Sequence, residues 1–245
     1  MTQAEHADGP GSFTRPGDAA VEGAEFLSVI TARHCKRAFL DRPVPREVLE
    51  RVLATAAHAP SPRNTQYWQV AVVQGEARTE LSRRMCAAFD STESHEPDYE
   101  NRPTPMGELH EQRSFDWGAA FYGALGIGRD DHEARDEFVR KNLRFYGAPV
   151  AMIFHLPRNA VPGNFLEVGL YLQNVMLGLV ACGLGSCPQY TVARYTRVIR
   201  DFLGLGPERL VVCSLSVGYV DESAPINKFH PDRANLDEYI RWHGH

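Results

Sequence analysis

The chain has few of the features that would place it in a specialised class of protein. Its 245 residues include five cysteines, and none of them form a Cys-x-x-Cys pair, so a zinc ribbon and a thioredoxin-like motif have no support. The odd count also argues against a disulfide framework. We therefore expect reduced thiols, no metal site and a cytoplasmic location. The cysteines are Cys35, Cys86, Cys182, Cys187 and Cys213.

Excess positive charge and long apolar runs are lacking as well. The formal net charge is -5, which is unlike that of a general nucleic-acid binder. The longest apolar stretch, residues 165–184, is interrupted by Glu167, Gln173 and Asn174, and this favours a buried helix over a membrane span. We expect neither nucleic acid nor a membrane as a partner.

The leading residues 1–22 are rich in Gly, Ala, Asp and Pro and contain no apolar core of a secretory signal. They are expected to form a disordered or loosely packed tail. The remainder, residues 23–245, shows no repeat and no shift in composition, and its 43% hydrophobic residues are enough for a core. We predict one domain there.

Hydrophobic spacing and turn residues predict the order of the elements. Residues 91–113 are polar and contain three prolines, which predicts a long mobile connection of the kind that often covers a binding site. Asn164 is expected to cap the longest helix, with Glu167 completing a capping box. The predicted helices are 24–32, 46–58, 130–145, 164–182 and 192–203, and the predicted strands are 68–73, 149–156 and 210–217.

Four short segments could carry chemistry. Residues 33–37 read Arg-His-Cys-Lys-Arg and offer several donors to a phosphate, although such a run taken alone is more typical of a solvated basic surface. Residues 59–68 form a proline-rich turn, and residues 183–190 carry two glycines after a helix; taken alone, these are more typical of an ordinary turn and of a helix end followed by a loop. Residues 227–233 are also typical of a solvated charged stretch. The glycines at 126 and 128 lack a preceding strand, so no Rossmann site is expected.

Taken together, in this order and spacing, these segments resemble the FMN-dependent nitroreductase family. The resemblance covers roughly residues 24–243, and residues 115–129 are most similar to the bacterial nitrobenzoate-reductase branch. Two residues depart from the family pattern, since Cys35 replaces a serine and Tyr67 replaces a proline. The matching residues are Arg33-His34-Cys35-Lys36-Arg37, Pro43-Val44-Pro45, Ala59-Pro60-Ser61-Pro62-Arg63-Asn64-Thr65-Gln66-Tyr67-Trp68, Leu172-Gln173-Asn174, Gly183-Leu184-Gly185-Ser186-Cys187-Pro188-Gln189 and Val217-Gly218-Tyr219.

The resemblance implies an α+β fold with a central mixed, mostly antiparallel sheet flanked by helices. It also implies an intertwined homodimer that exchanges its C-terminal arms. The implied activity is ping-pong electron transfer: NADH or NADPH reduces FMN at N5, and a small aromatic acceptor such as a nitroaromatic or a quinone is then reduced at the same place. A nitroaromatic would pass through the nitroso compound to the hydroxylamine.

The resemblance further implies which residues bind the cofactor, whereas no catalytic residue is assigned, because the flavin itself carries the chemistry. Basic residues from both ends of the chain would surround the phosphate or the pyrimidine edge, the proline-rich turn would line the ring and the ribityl chain, and the segment at 188–190 would lie near the reactive face. The residues are Arg33, His34, Cys35, Arg37, Pro60, Ser61, Asn64, Pro188, Gln189, Tyr190 and Arg233.

Two alternatives remain open at the level of sequence. One is a flavin-dependent dehydrogenase or reductase of a biosynthetic pathway, or a reductive dehalogenase, and the variable segment 91–129 should distinguish these from a nitroreductase. The other, from a different class, is a flavin-binding protein without turnover.

Overall fold

The structure, a computed structural model, describes residues 23–91 and 96–244. The N-terminal tail predicted for residues 1–22 lies outside the described residues. The helices are α1 (Gly23–Ala32), α2 (Arg46–Ala56), α3 (Gly75–Phe89), α4 (Glu108–Ala124), α5 (His132–Leu143), α6 (Pro162–Ala181), α7 (Thr196–Leu203) and α8 (Leu236–Tyr239). The strands are β1 (Gln69–Gln74), β2 (Val150–Pro157), β3 (Gly185–Gln189) and β4 (Arg209–Gly218).

The four strands form one sheet in the order β1-β2-β4-β3, and each neighbouring pair is antiparallel. A parallel contact occurs outside the named strands, in an isolated bridge between Cys35 and Ser186. Helices cover both faces of the sheet. The predicted α+β class is therefore confirmed.

Side chains alternate along β2, and this explains why the strand is apolar throughout. Val150, Met152 and Phe154 belong to a core shared with α2 and α6, whereas Ala151 and Ile153 belong to a second core shared with α3 and α7. Both faces of the strand are thus buried.

A bulge changes the alternation along β4. The register with β2 shifts between Phe154 and His155, so that Val212 is the extra residue. Beyond the bulge, Leu215 lies in the core of α2 and α6, and the alternate residues Ser214 and Ser216 lie on the opposite face. The bulge therefore places two fully buried hydroxyl groups on the α3 and α7 side of the sheet.

Two local predictions are corrected by the structure. The glycine-bearing segment predicted as a loop forms β3, and Pro188 is tolerated there because β3 is an edge strand. Asn164 is not the cap of α6: the helix begins at Pro162, and Asn164 Oδ1 accepts a hydrogen bond from the Val161 N–H at 3.0 Å. Proline is favourable at this first position because its missing N–H would have no helical partner.

Part of the segment 91–113, which was expected to be a long mobile connection, is held in place by hydrogen bonds. Asp98 accepts hydrogen bonds from Arg158 at 2.6 Å, Arg200 at 2.7 Å and the Val211 N–H at 2.9 Å.

Residues from 108 onward form α4, a helix that the sequence pattern did not indicate, because most of its apolar residues stay exposed and do not form one face. The α3 helix was likewise not predicted. Residues 192–203, predicted as one helix, form a 3-10 turn followed by α7.

Among the described residues, α6 is the helix long and apolar enough to cross a membrane by length and composition. It packs instead on α2 and the sheet, where Gly178 comes so close to Val52 that an added Cβ would lie 3.1 Å from Cγ1. The burial on most sides expected for this helix is not reached within one chain, since Leu166 is 66% and Leu170 is 39% exposed.

Candidate functional site

The segment after α1 is held in an extended conformation beside β3. The Lys36 N–H donates to the Ser186 carbonyl at 3.0 Å, and the Leu40 N–H donates to the Tyr219 carbonyl at 2.9 Å. Gly185 is required at this contact, because a Cβ there would lie 2.9 Å from Lys36 Cγ. The basic run therefore lies along an edge of the sheet rather than in solvent.

Asn227 ties the C-terminal segment to this run. Its buried side chain accepts from the Arg37 N–H at 2.7 Å and donates to the carbonyls of Ala38 at 2.8 Å and Asp221 at 2.9 Å. These bonds join parts of the chain that are 190 positions apart. Asn227 opens the fourth segment named from the sequence, residues 227–233, but no role was predicted for it, because a lone Asn in a charged stretch does not indicate which backbone it will bind.

Five basic residues gather where the two chain segments meet: Arg33, His34, Lys36, His230 and Arg233, here called the cationic cluster. The rings of His34 and His230 are 3.9 Å apart between centroids. Burial, followed by the nearby positive charges of the other four members, lowers the pKa of His34. The structure thus brings together the predicted residues Arg33, His34 and Arg233.

Few ion pairs join the cationic cluster to carboxylates, although Asp116, Asp232 and Glu238 line a cavity with His230 and Arg233. Across residues 23–91 and 96–244, no carboxylate forms an ion pair with Arg33 or Arg233, and the acidic partner of Lys36 is the exposed Glu222 at 4.0 Å. Arginine side chains that are gathered together without ion-pair partners favour the binding of an anion such as a phosphate.

Cys35 and Cys187 form a pair of neighbouring thiols beside the cluster, here called the thiol pair. An isolated bridge pairs the backbone of Cys35 with that of Ser186, the residue that precedes Cys187 in β3. The hydrogen bond from Cys187, helped by the charges of Arg37 and Arg33, outweighs burial and lowers the pKa of Cys35 to about 6. The same contact and burial raise the pKa of Cys187.

Arg37 is directed to a different place from the rest of the basic run. Its guanidinium lies over the Phe121 ring at 4.8 Å from the centroid, and Arg37 and Tyr146 line the same cavity. It therefore lies against the aromatic side chains of α4 and of the turn before β2, and it could meet a different part of a ligand from the part that meets Arg33.

The side chains at the end of β3 are largely used by the fold. Gln189 donates to the Asn142 carbonyl at 2.7 Å and accepts from Ser214 and Ser216 on the bulged strand, while the Tyr190 hydroxyl donates to the Tyr99 carbonyl at 2.6 Å. The polar atoms that residues 188–190 have left for a ligand are consequently those of the backbone.

The proline-rich turn lies apart from the cationic cluster. Ser61 Oγ accepts from the Gln66 N–H at 3.1 Å, and Arg63, Asn64 and Gln66 have positive φ angles of 53°, 57° and 48°. Within the described part of the chain, no hydrogen bond, ion pair or ring contact joins this turn to the cluster. The structure of one chain thus leaves Pro60, Ser61 and Asn64 separate from the other predicted residues.

A cavity of about 530 Å³ adjoins the cationic cluster, between α4 and the C-terminal segment. Trp117, Phe229, His230 and Arg233 are among its lining residues, so that an aromatic wall faces two of the basic groups. A larger cavity of about 860 Å³ lies elsewhere, beside Val44 and Glu76, and contains none of the predicted site residues.

The fold and the site define an α+β protein with a cluster of basic side chains at the edge of its sheet. The chain belongs to the nitroreductase family, whose sequence model ("Nitroreductase family") matches residues 30–219. It is 34% identical over 90% of its length to a 4-nitrobenzoate reductase of Pseudomonas putida, of which 96% is covered. It is 36% identical over 94% of its length to the nitroreductase NfnB of Mycolicibacterium smegmatis, of which 96% is covered.

Solved structures of nitroreductases are similar to this chain as well. The FMN- and NADPH-dependent nitroreductase NfnB of Sphigopyxis sp. strain HMH superposes with a TM-score of 0.86 at 38% identity, over 90% of this chain and 99% of that one. The FMN-dependent NfnB of Mycobacterium smegmatis, solved in complex with NADPH, superposes with a TM-score of 0.87 at 33% identity, over 91% of this chain and all of the other.

Proposed function

We propose that this protein is an FMN-dependent oxidoreductase that moves electrons from NADH or NADPH to a small nitroaromatic compound. The observation that carries the proposal is the cationic cluster, which the fold builds from the two ends of the chain and in which Arg33 and Arg233 have no ion-pair partner among the described residues. The similarity to nitroreductases over nine tenths of the chain supports the same function.

The residues present fit the phosphate of FMN. Arg33 and Arg233 can each offer a planar fork of N–H donors to a dianion, and His34 and His230 can add single donors. Because Arg37 lies away from this group, against Phe121 and Tyr146, we assign it to the flavin ring rather than to the phosphate. A backbone N–H of residues 188–190 would face the reactive side of the ring.

When bound, FMN supplies the redox chemistry by accepting a hydride from the nicotinamide and passing electrons to the acceptor. The chain's own contribution is binding and electrostatics. A guanidinium held against the Phe121 ring, at a fixed position beside the flavin, would stabilise negative charge that develops there. Trp117 and Phe229 would offer an aromatic surface to an aromatic acceptor.

A nitroaromatic is preferred over the other acceptors because of the relatives. Curated relatives at 34% identity are named for 4-nitrobenzoate and for nitrobenzene reduction, and they too align over most of this chain. We propose that either NADH or NADPH can donate the electrons. The order is ping-pong, so that the nicotinamide leaves before the acceptor binds.

We further propose that the working unit is a homodimer. Large apolar side chains are exposed on α1, α6 and α8, including Leu27, Leu166, Leu170 and Leu236. Burying such surface is the main driving force for association. A second copy could also bring the turn with Ser61 and Asn64 to the cationic cluster, from which it is separate in one chain. Exchange of the C-terminal arms would be one way of doing so.

Three more expectations belong to the proposal. Residues 23–245 would form the FMN-binding domain and residues 1–22 a tail outside it. The protein would act in the cytoplasm, since all five cysteines are free thiols. Its partners would be small molecules and a second copy, with no nucleic acid or membrane.

The test is to purify the protein and to record its absorption spectrum before and after anaerobic addition of NADH or NADPH. We expect a flavin spectrum, bleaching of the visible band by at least one nicotinamide, and recovery on addition of 4-nitrobenzoate or nitrobenzene. Bound flavin that neither nicotinamide bleaches would indicate a flavin-binding protein without turnover. Bleaching without re-oxidation by any nitro compound in the panel would contradict the proposed acceptor.

A further inference from the structure

A cavity of about 600 Å³ lies between α3 and α5, and the proposed electron transfer does not use it. Two contacts hold the helices together around it: Arg140 donates to Asp90 at 2.7 Å, and the Arg78 guanidinium donates to the Arg144 carbonyl at 3.4 Å. Its volume is in the usual range for small-molecule sites. None of the residues predicted to bind FMN lines it.

Ser82 lines this cavity and has a hydroxyl group without a partner. The residue is 5% exposed, and across residues 23–91 and 96–244 its Oγ forms no hydrogen bond. A helical hydroxyl is commonly satisfied by the carbonyl four residues earlier, as Thr79 is by Gly75 at 3.3 Å. A buried polar atom without a partner costs free energy, so most such atoms bind another group, a water or an ion. A ligand in the cavity would supply the missing partner of Ser82.

Arg78 offers a second unpartnered donor at the same cavity. Its side chain is partly buried, and its buried Nε has no acceptor in the part of the chain that the structure describes. Residues four apart are neighbours on the surface of a helix, and both Arg78 and Ser82 line the cavity. One side of the cavity therefore combines a guanidinium and a hydroxyl that both have unused hydrogen-bonding capacity.

The charge around the cavity is mostly positive and only partly balanced. Among the described residues, neither Arg78 nor Lys141, which also lines the cavity, forms an ion pair with a carboxylate. An anion would therefore meet two cations that have no ionic partner. The other charged lining residues are paired: Arg83 with Glu80 at 2.7 Å, Arg144 with Glu137 at 3.0 Å and Asp90 with Arg140 at 2.7 Å.

The cavity is separate from the cationic cluster. It shares no lining residue with the cavity that adjoins the cluster. The α3 helix packs on one face of the sheet and α6 on the opposite face, and the second copy of the chain is proposed to cover α1, α6 and α8. A ligand beside α3 would therefore be additional to FMN, and the proposed dimer would leave it accessible.

We propose that the cavity between α3 and α5 binds the phosphate group of a small molecule at a site additional to that of FMN. The Arg78 guanidinium offers planar donors to phosphate oxygens, the Ser82 hydroxyl donates a further hydrogen bond, and the Lys141 ammonium adds charge. These donors come from two helices, which suits a phosphate because its oxygens point in several directions. Inorganic phosphate and a phosphate ester share this chemistry.

The test is a phosphorus NMR titration of the protein carrying one equivalent of FMN, with inorganic phosphate as the probe and chloride added to keep the ionic strength constant. We expect saturable broadening of the phosphate signal. The Kd should rise roughly 10- to 100-fold in Arg78→Gln and roughly 3- to 10-fold in Ser82→Ala, because the first loses charge-assisted hydrogen bonds and the second a neutral one. Arg84→Gln removes a charge from the same helix outside the cavity and should bind like the parent.

Thermal unfolding separates binding from a structural role of Ser82. Alanine favours a helix and removes the unpartnered hydroxyl, so without phosphate Ser82→Ala should unfold at the parental temperature or above it. Added phosphate should raise its unfolding midpoint less than that of the parent. A variant that folds as well as the parent and binds phosphate less would thus assign the hydroxyl to the ligand.

Three results would overturn the proposal. The first is no saturable binding, as expected if the cavity holds only water, and the second is a parental Kd in both Arg78→Gln and Ser82→Ala. The third is a Kd that responds to Arg33→Ala instead, which would place the phosphate in the cationic cluster. Titration with adenosine monophosphate distinguishes the two sources: a Kd well below that of inorganic phosphate indicates an ester of a larger molecule, and a similar Kd indicates free phosphate.

Discussion

Arg33 contacts both features that make this site unusual. Its charge adds to the cationic cluster, and the same charge helps to lower the pKa of Cys35. A side chain with these two contacts connects anion binding with the state of a thiol, because a bound phosphate and a thiolate would draw on the same guanidinium. A family serine at position 35 would not ionise, so this connection comes from the departure at that position.

Replacing either of the two arginines of the cationic cluster should weaken flavin binding. For Arg33→Ala and Arg233→Ala we expect the Kd for FMN to rise roughly 10- to 100-fold, because each loses charge-assisted hydrogen bonds worth roughly 1.5–3 kcal/mol. Fluorescence titration of the flavin-free variants measures this. Arg83→Ala on the exposed face of α3 is the control and should bind like the parent. Parental affinity in both cluster variants would refute the placement of the phosphate.

Cys35 should react as a thiolate at a lower pH than an ordinary cysteine. The hydrogen bond from Cys187 and the charges of Arg37 and Arg33 lower its pKa to about 6, so its alkylation by iodoacetamide should rise with pH and be half-maximal near pH 6. Burial raises the pKa of Cys86, which should react appreciably only in more alkaline solution. Peptide mapping after timed alkylation compares both thiols in one sample. Equal pH profiles for the two would contradict the assignment.

Among the elements, the bulge between β2 and β4 connects the sheet to the site. It places Ser214 and Ser216 where they hold the amide of Gln189, and Gln189 in turn contacts Asn142 of α5. Beside the bulge, His155 Nδ1 accepts from Arg209 at 3.0 Å. One irregular residue in a strand thus positions the end of β3 that leads into the proposed flavin face.

The histidine beside the bulge should make stability depend on pH. Burial and the charge of Arg209 lower the pKa of His155 from 6.5 to about 4, so the unfolded chain binds its proton first as the pH falls. Its contribution is complete above pH 6.5, declines as the pH falls toward 4, and is lost below that, by at most about 3 kcal/mol in the free energy of unfolding.

Urea denaturation at several pH values measures this contribution. His155→Gln keeps an acceptor for Arg209 but cannot titrate, so its stability should fall less between pH 6.5 and 4 than that of the parent. Parallel curves for parent and variant over this interval would show that the loss belongs to other groups.

At the scale of the whole molecule, two features of the single chain indicate that it works with a second copy. Apolar side chains on α1, α6 and α8 are exposed, and the turn at 60–64 has no contact with the cationic cluster within the described residues. A second copy could cover the exposed apolar side chains and could place its own turn at 60–64 beside the cationic cluster of the first copy. The same surface would account for the low burial of α6 in one chain.

Size-exclusion chromatography with light scattering should therefore find about twice the mass of one chain, and the unfolding midpoint should rise with protein concentration. Leu166→Glu places a charge on the exposed face of α6 and should shift the equilibrium toward monomer with loss of bound flavin. Thr79→Glu adds the same charge on the exposed surface of α3 and should leave the dimer intact. A monomer that holds one FMN per chain would contradict the dimer.

Most of the strands and helices of this protein, and its family, could be predicted from the sequence, because the patterns that indicate them are local. Alternating or continuous apolar residues predicted β1, β2 and β4, helical spacing predicted α1, α2 and α6, and the order of short motifs indicated the family that the comparisons then showed. Helices such as α4 escaped prediction, since most of their apolar residues are exposed and form no periodic face.

Only the tertiary structure decided what lies next to what. It bound Asn227 to a segment 190 positions away, placed Arg37 over Phe121, and paired the backbone of Cys35 with that of Ser186. These contacts depend on which strand edge accepts the segment after α1, and that is settled by packing across the whole sheet rather than by any local pattern. The sequence determined which groups the site contains, and the fold determined which of them act on one another.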